Sequence, residues 1–271
     1  MRLVRLKRRL RTIPPSIDVD TPVLVVSPHL DDAVLSSFAF LQRRRTTVLT
    51  VFTGSPERTA ASDWDRGLGH DDAVEIMQTR LAEDDRALAS LPVDTVRLPL
   101  LENGYRTAEI SDADVATMRE VVREWFESTD RRGVVLAPSG AGANDNLIYR
   151  RRWNTSLPLV RVPGGGVPHP DHCVVRDEIV DEALSLGAGV IVYEELPYRW
   201  TGRGARFVER LAQEHGCTVS RFDVDIDRDR KAFAVGCYAS QTHGLFRPWV
   251  RDIRSVMPRY ERFWTLAPAA R

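Results

Sequence analysis

Val23-Leu-Val-Val26 is a continuous apolar run dominated by β-branched valine, and it leads directly into Ser27-Pro-His-Leu-Asp-Asp32. A short run of this kind reads as a strand covered on both faces, the condition of strands in a parallel sheet flanked by helices. Strand and helix signals then alternate. Ala33–Leu41 reads as a helix, Thr46–Phe52 as a strand, and Thr53–Gly69 as a polar loop holding Trp64 and Asp65. Asp71–Leu91 is a long, amphipathic, charged helix with Val74, Met77, Leu81, Leu88 and Leu91 on or near one face. Thr95–Leu98 is a strand, Asp112–Glu127 a helix, and Val134–Ala137 a strand ending in Pro138-Ser-Gly-Ala-Gly142. Beyond a long irregular stretch come a helix (Asp171–Leu186), a strand (Gly189–Tyr193), a helix (Thr201–Glu214), an edge strand (Thr218–Val224) and a helix (Arg228–Ser240). Such alternation implies βαβ units with right-handed crossovers, hence an α/β, Rossmann-like three-layer fold with a mostly parallel sheet.

No repeat or linker divides residues 21–271, which read as one domain behind a basic N-terminal arm, residues 1–20. The 271 residues are 43% hydrophobic and 28% charged with zero formal net charge, so nothing global points to nucleic acid or a membrane surface. Lys7 and Lys231 are the only lysines among 38 basic residues; with the many Ala and Val, this reads as a high-GC bacterial coding bias. Cys173, Cys217 and Cys237 form no close pair, so neither a disulfide framework nor a Cys-rich zinc site is indicated. The basic N-terminus lacks the apolar segment of a secretory signal, and no apolar run approaches the ~20 residues of a membrane span. A cytoplasmic protein is expected.

Two short stretches carry chemistry: His29-Leu-Asp-Asp32 after the first strand, and His169-Pro-Asp-His172 at the start of a helix. Imidazole and carboxylate suit Zn2+, and three protein ligands with one open position make a catalytic centre. In open α/β sheets ligands bind at the carboxyl ends of the strands, where both stretches fall. His29, Asp32 and His172 can supply the ligands. Asp31 then serves as general base, and a protonated His169 steadies an oxyanion and passes a proton to the leaving amine. Asp171 is the natural partner for holding a histidine in one tautomer. Each stretch alone has a plainer reading: strand-end carboxylates also build phospho-acceptor pockets or helix caps, and Asp171 could cap its own helix. Cys173, followed by Val174 and Val175, reads as a buried helix position and not a ligand.

At these residues the chain resembles the PIG-L/LmbE-like superfamily of zinc-dependent de-N-acetylases. Ser27-Pro-His-Leu-Asp-Asp-Ala-Val34 is similar to the first family motif and His169-Pro-Asp-His172 to the second. The resemblance implies His29, Asp32 and His172 as zinc ligands, Asp31 as base and His169 as oxyanion-stabilising acid. Weaker likenesses cover Trp64-Asp65, Arg80-Leu-Ala-Glu83, Gly104-Tyr-Arg106, Tyr193-Glu-Glu-Leu-Pro-Tyr198, Lys231 with Tyr238-Ala-Ser-Gln241, and Glu261-Arg-Phe-Trp264. They make Arg80, Arg106 and Tyr198 candidates for substrate contact. Ala33 stands where many members carry Glu. The Gly-rich turn after the fourth strand is interrupted by an insertion at about residues 144–166, whose Arg150, Arg151, Arg152 and Trp153 could receive an anionic or aromatic part of a substrate.

The sequence thus leads to a metal-dependent hydrolase that removes an N-acetyl group from an amino-sugar conjugate such as an N-acetylglucosamine derivative, in bacterial natural-product metabolism. Zn2+ is the expected ion, with Fe2+ or another divalent metal chemically suitable. The expected partner is a small molecule, and a homo-oligomer is compatible with the sequence. The alternatives are an amidase for a longer acyl group or a thiol conjugate, and a non-catalytic sugar-binding protein of the same fold.

Overall fold

The structure, a computed structural model, describes residues 12–14, 17–57, 60–140, 169–196, 204–246 and 250–269. The described strands form one seven-stranded sheet in the order β3-β2-β1-β4-β5-β7-β6, and the Rossmann-like expectation holds. β1 (Val23–Ser27), β2 (Thr46–Thr50), β3 (Val93–Arg97), β4 (Val134–Pro138) and β5 (Gly189–Tyr193) are mutually parallel. β6 (Cys217–Asp225) and β7 (Tyr260–Pro268) are each antiparallel to a neighbour, β7 lying between β5 and β6. The chain leaves β1 toward β2 on one side, and β4 takes the other side. Strand order therefore reverses between β1 and β4, and the crevice beyond their carboxyl ends is where an open sheet of this type binds ligands.

The period of two along β1 divides the core. Val23 and Val25 join Phe38, Phe40, Leu88, Tyr238 and Phe263 on one face, while Leu24 and Val26 join Met118, Val122, Phe126, Val175 and Ile179 on the other. The first face is covered by α1 (Asp32–Ser36), α2 (Phe38–Leu41), α4 (Ala73–Leu88), α8 (Arg228–Gly236) and α9 (Ala239–Leu245), the second by α5 (Asp112–Ser128), α6 (Pro170–Ser185) and α7 (Gly204–Glu214). Short helices α3 (Asp63–Gly67) and α10 (Ile253–Val256) lie in the connections. Among the described residues, no helix is long and apolar enough to cross a membrane.

The elements differ from the sequence reading in several places. The helix read over Ala33–Leu41 is broken at Ser37, and the one over Arg228–Ser240 ends at Gly236 before α9 begins. Ile17 is buried and Ile13 packs against the core, so the part of the N-terminal segment that is described docks on the domain. The inward face of α4 keeps Met77 and Leu88 of the apolar residues read from its sequence, with Leu91 buried just beyond its end, but shares them with charges. Val74 and Leu81 are only half-buried, whereas Arg80, Glu83 and Asp84 are buried beside Ile76, Met77, Ala87 and Leu88. Finally, β7 was not anticipated, because Glu261 interrupts the apolar pattern at an inward position.

Glu261 is buried with full partnership. Its Oε1 accepts from the Phe38 N–H (3.0 Å) and from Lys231 Nζ, and its Oε2 from the Ala39 N–H (2.8 Å). Lys231 Nζ also donates to the Leu35 carbonyl. One ion pair thus caps α2 where the helix breaks and ties β7 and α8 to it. Removing one partner strands a buried charge, which costs about 3–5 kcal/mol. Lys231→Met is expected to lower stability by about that much, and Lys231→Met/Glu261→Gln by less than the sum of the single variants. Denaturant midpoints of the four proteins check this.

Candidate metal centre

Ser27, the last residue of β1, shapes the first half of the site. Its Oγ donates to the His29 carbonyl (2.6 Å) and accepts the Ala33 N–H (2.9 Å), closing the turn between strand and helix. Asp32 folds back, its Oδ2 accepting the His29 N–H at 2.9 Å. Asp31 occupies the N-cap of α1, yet its side chain makes no capping hydrogen bond. Its carboxylate is therefore not spent on the helix end, and it lies within electrostatic reach of Asp32, His29 and Arg80.

The second half is built on the first turn of α6, with His169 at the N-cap and Pro170 beginning the helix. Asp171 does not cap this helix. Its Oδ2 lies 3.0 Å from His29 Nε2 and accepts the Asn103 N–H at 2.8 Å, while Oδ1 accepts from Arg106 Nη2 at 2.6 Å. His172 Nδ1 is hydrogen-bonded to Glu195 Oε1, and Glu195 Oε2 accepts from Ser139 Oγ at 2.6 Å. Glu195 is pinned at the end of β5 by its neighbours, Glu194 N–H donating to the Arg262 carbonyl (2.9 Å) and Leu196 N–H to Ser36 Oγ (3.1 Å).

Each imidazole thus spends its outer nitrogen on a buried carboxylate, and the inner nitrogens converge. His29 Nδ1, His172 Nε2 and Asp32 Oδ2 form a triangle with sides of 3.2, 3.3 and 3.5 Å. Ligands bonded at about 2.0–2.1 Å to one tetrahedral ion would sit about 3.3–3.4 Å from one another, so the donor set fits a divalent metal in chemistry and in size. Carboxylates behind ligating histidines are a regular feature of such centres. His29, His169 and His172 also bring ligand nitrogens within 4.8 Å of one another, a looser grouping. His169 has its ring 5.1 Å from that of His29 and 4.8 Å from that of His172, and its buried Nδ1 has no hydrogen-bond partner among the described residues.

The two adjacent carboxylates are driven apart in acidity. Burial and the charge on Asp32 push Asp31 up to about 7, against the pull of His29 and Arg80. Burial would raise Asp32 too, but the charge of His172 and the hydrogen bond to His29 prevail and hold it at about 2. Burial also works against the charged forms of His29 and His172, yet Asp171 and Asp32 lift the first and Asp32 and Glu195 the second. Burial and the charges of His172 and His29 push His169 down to about 2 in the metal-free site, because a second and third positive charge so close together oppose a further proton.

Arg80 and Arg106 are engaged within the protein. Arg80 Nη2 donates to Asp65 Oδ1 (2.6 Å) and Gln241 Oε1 (3.0 Å), and Nη1 to Glu102 Oε1 (3.2 Å). Trp64 Nε1 donates to the same Gln241 oxygen at 2.8 Å, and the Tyr105 hydroxyl donates to Asp65 Oδ2. Arg106 adds a bond from Nη1 to the Leu101 carbonyl at 2.7 Å. Tyr198, Trp153 and the whole 144–166 insertion lie outside the described residues. Sequence reasoning assigned no role to Glu195; its signal was a Glu at the exit of a buried strand, one strand away from the motif-bearing ends.

Comparison with known proteins finds no matching family model and no matching curated sequence. The structure is similar to that of the A40926 pseudoaglycone deacetylase Dbv21 (24% identity, 93% of this chain and 99% of that chain, TM-score 0.65). It is also similar to the zinc-inhibited form of the teicoplanin deacetylase Orf2 (20% identity, 92% of this chain and 99% of that chain, TM-score 0.61). A third similar structure is GalB, the 4-carboxy-2-hydroxymuconate hydratase of Pseudomonas putida (13% identity, 93% of this chain and 98% of that chain, TM-score 0.50). Identities this low establish the fold alone, and the fold serves both deacetylases and a hydratase.

Cys173, next to His172, hydrogen-bonds through Sγ to the Gly140 carbonyl (3.5 Å), and burial pushes its thiol up to about 11. The thiolate, which is the nucleophile, is then scarce at neutral pH. Iodoacetamide labelling followed by peptide mass spectrometry is expected to modify Cys173 slowly at pH 8, with a rate that climbs about tenfold per pH unit toward pH 11.

Proposed function

We propose that the chain is a metal-dependent hydrolase that removes an N-acetyl group from an amino-sugar conjugate. The triangle of His29 Nδ1, Asp32 Oδ2 and His172 Nε2, backed by Asp171 and Glu195, carries this reading. The motif resemblance supports it, and so do fold neighbours that are deacetylases of a pseudoaglycone and of teicoplanin. A glycopeptide or related conjugate is the substrate class we favour.

In this mechanism His29, Asp32 and His172 hold the ion. When bound, Zn2+ or a similar ion acidifies water and polarises a carbonyl oxygen. Asp31, ionised above pH 7 and unspent on capping, takes the proton from water as the oxygen attacks the amide carbon. Asp31 then returns that proton to the leaving nitrogen, so one carboxyl serves as base and acid and no second proton donor is needed. His169, held neutral, offers a ring N–H to the developing oxyanion. The C–N bond breaks to give acetic acid and the amine, and the remaining water proton passes from the acid to the amine, leaving acetate and an ammonium. Arg80 also acts on Asp31 through its charge, which favours the ionised carboxylate.

The test is amine release from N-acetylated glycopeptide, aminoglycoside and free N-acetylglucosamine substrates. Turnover should vanish on chelation and return with one equivalent of a divalent ion. Zn2+ is titrated past one equivalent, because the teicoplanin enzyme has a zinc-inhibited form. Asp31→Asn should lower kcat by about 100- to 10,000-fold with metal content unchanged. Turnover that survives metal removal, or a fully active Asp31→Asn variant, would defeat the proposal.

The pH profile follows from the acidity of Asp31. Its folded-state value is raised to about 7, so the base is protonated and idle below that pH and ionised above it. The acid limb of log kcat/KM should therefore rise with a slope of one and level off at or below about pH 7, since the positive charge of a bound ion would favour the ionised carboxylate, and Asp31→Asn should remove that limb.

A further inference from the structure

We propose that Arg106 is a positioning residue for the metal centre, acting on His29 through Asp171 and Phe52. The inference rests on reading the three-donor triangle as a metal site.

Asp171 is 0% exposed and sits in the first turn of α6, where the helix's own unpaired N–H groups compete for its carboxylate. It nevertheless faces away from capping and toward His29. What draws it there is the turn Glu102–Arg106, which closes with Tyr105 and Arg106 N–H groups donating to the Glu102 carbonyl (3.0 and 3.2 Å). That turn supplies both other partners of Asp171: the Asn103 N–H on Oδ2 and Arg106 Nη2 on Oδ1. The two bonds use different oxygens, so together they fix the rotation of the carboxylate and with it the direction in which Oδ2 meets His29 Nε2.

The Arg106 guanidinium is itself fixed. Nη1 donates to the Leu101 carbonyl, and Cζ lies 5.1 Å over the Phe52 ring. The Phe52 ring lies in turn 5.9 Å from that of His29. Arg106 thus reaches His29 by two routes, a carboxylate on its outer nitrogen and an aromatic neighbour at its ring. The turn is anchored from behind, because Glu102 accepts from Arg80 Nη1 and the Tyr105 hydroxyl binds Asp65. With Arg106 neutral or shortened, Asp171 can rotate toward the helix N–H groups, and His29 loses the contact that keeps Nδ1 aimed at the centre.

The experiment compares wild type, Arg106→Gln and Arg106→Lys, with Arg210→Gln, an exposed arginine of α7 that pairs with Glu214 of its own helix, as an unrelated arginine. Zn2+ affinity is read by competition with a chromophoric chelator, ligand geometry from the visible spectrum of the Co2+ form, and folding from thermal melts of the metal-free proteins. Arg106→Gln should weaken Zn2+ binding about 10- to 100-fold and alter the Co2+ spectrum, while its metal-free form, in which Asp171 keeps His29 and the Asn103 N–H as partners, melts somewhat lower but still cooperatively. Arg106→Lys should recover part of the affinity, since an ammonium reaches Asp171 Oδ1 but cannot also hold the Leu101 carbonyl. Unchanged affinity in both variants, with KM raised, would make Arg106 a substrate contact and overturn the inference. A lost affinity matched by a collapsed metal-free melt in both variants would make it a structural residue and also overturn it. Wild type that binds no divalent ion would instead defeat the metal reading, and this inference would fall with it.

Discussion

The hydrogen bond between Asp171 Oδ2 and His29 Nε2 joins residues 142 positions apart, and the candidate site depends on it. It forms because β1 and β4 are adjacent parallel strands whose carboxyl ends open on the same crevice. One strand delivers the first motif directly. The other lies beneath the start of α6, which carries the second. The carboxylate that orients the first motif's histidine comes from the second motif, so neither stretch is complete alone. Glu195, from the end of β5, does the same for His172. Three neighbouring strand ends therefore share the task of aiming two imidazole nitrogens and one carboxylate oxygen at a common point.

Around this point the protein keeps an unusual amount of charge out of water. Arg80, Glu83 and Asp84 on α4 are buried, as are Asp65, Lys231 and Glu261. Such groups are tolerated only when they are paired and hydrogen-bonded, and each has partners on distant segments: Asp65 and Gln241 for Arg80, Ser240 for Glu83, Tyr238 and Arg97 for Asp84. Tyr238 also reaches the Leu30 carbonyl (3.2 Å), within the turn that presents His29 and Asp31. The polar interior on this side of the sheet is thus continuous with the backbone of the site. Adjacent carboxylates with different acidity, Asp31 high and Asp32 low, follow from the same arrangement: only Asp32 touches both histidines.

The fold by itself is shared by deacetylases and by a hydratase, and folds host chemistry without dictating it. What separates one reaction from another here is local. A carboxyl poised near neutrality beside a three-donor centre suits moving a proton from water to a leaving nitrogen. His169, whose buried Nδ1 has no hydrogen-bond partner among the described residues, lies beside the same centre.

The sequence by itself determined much of this protein. The valine-rich run of β1, the strand–helix alternation and the two histidine motifs specify a parallel sheet with polar residues at its carboxyl edge, because strand and helix periods and the reach of a strand end are local properties. Strand order, the insertion of β7 and the role of Glu195 were decided only by the tertiary structure. So were the inward charges of α4 and the engagement of Arg80 and Arg106 inside the protein. All of these depend on which charges face one another after the chain has packed. Periodicity shows where apolar side chains go, whereas a buried charge is stable only beside partners that lie far away in sequence.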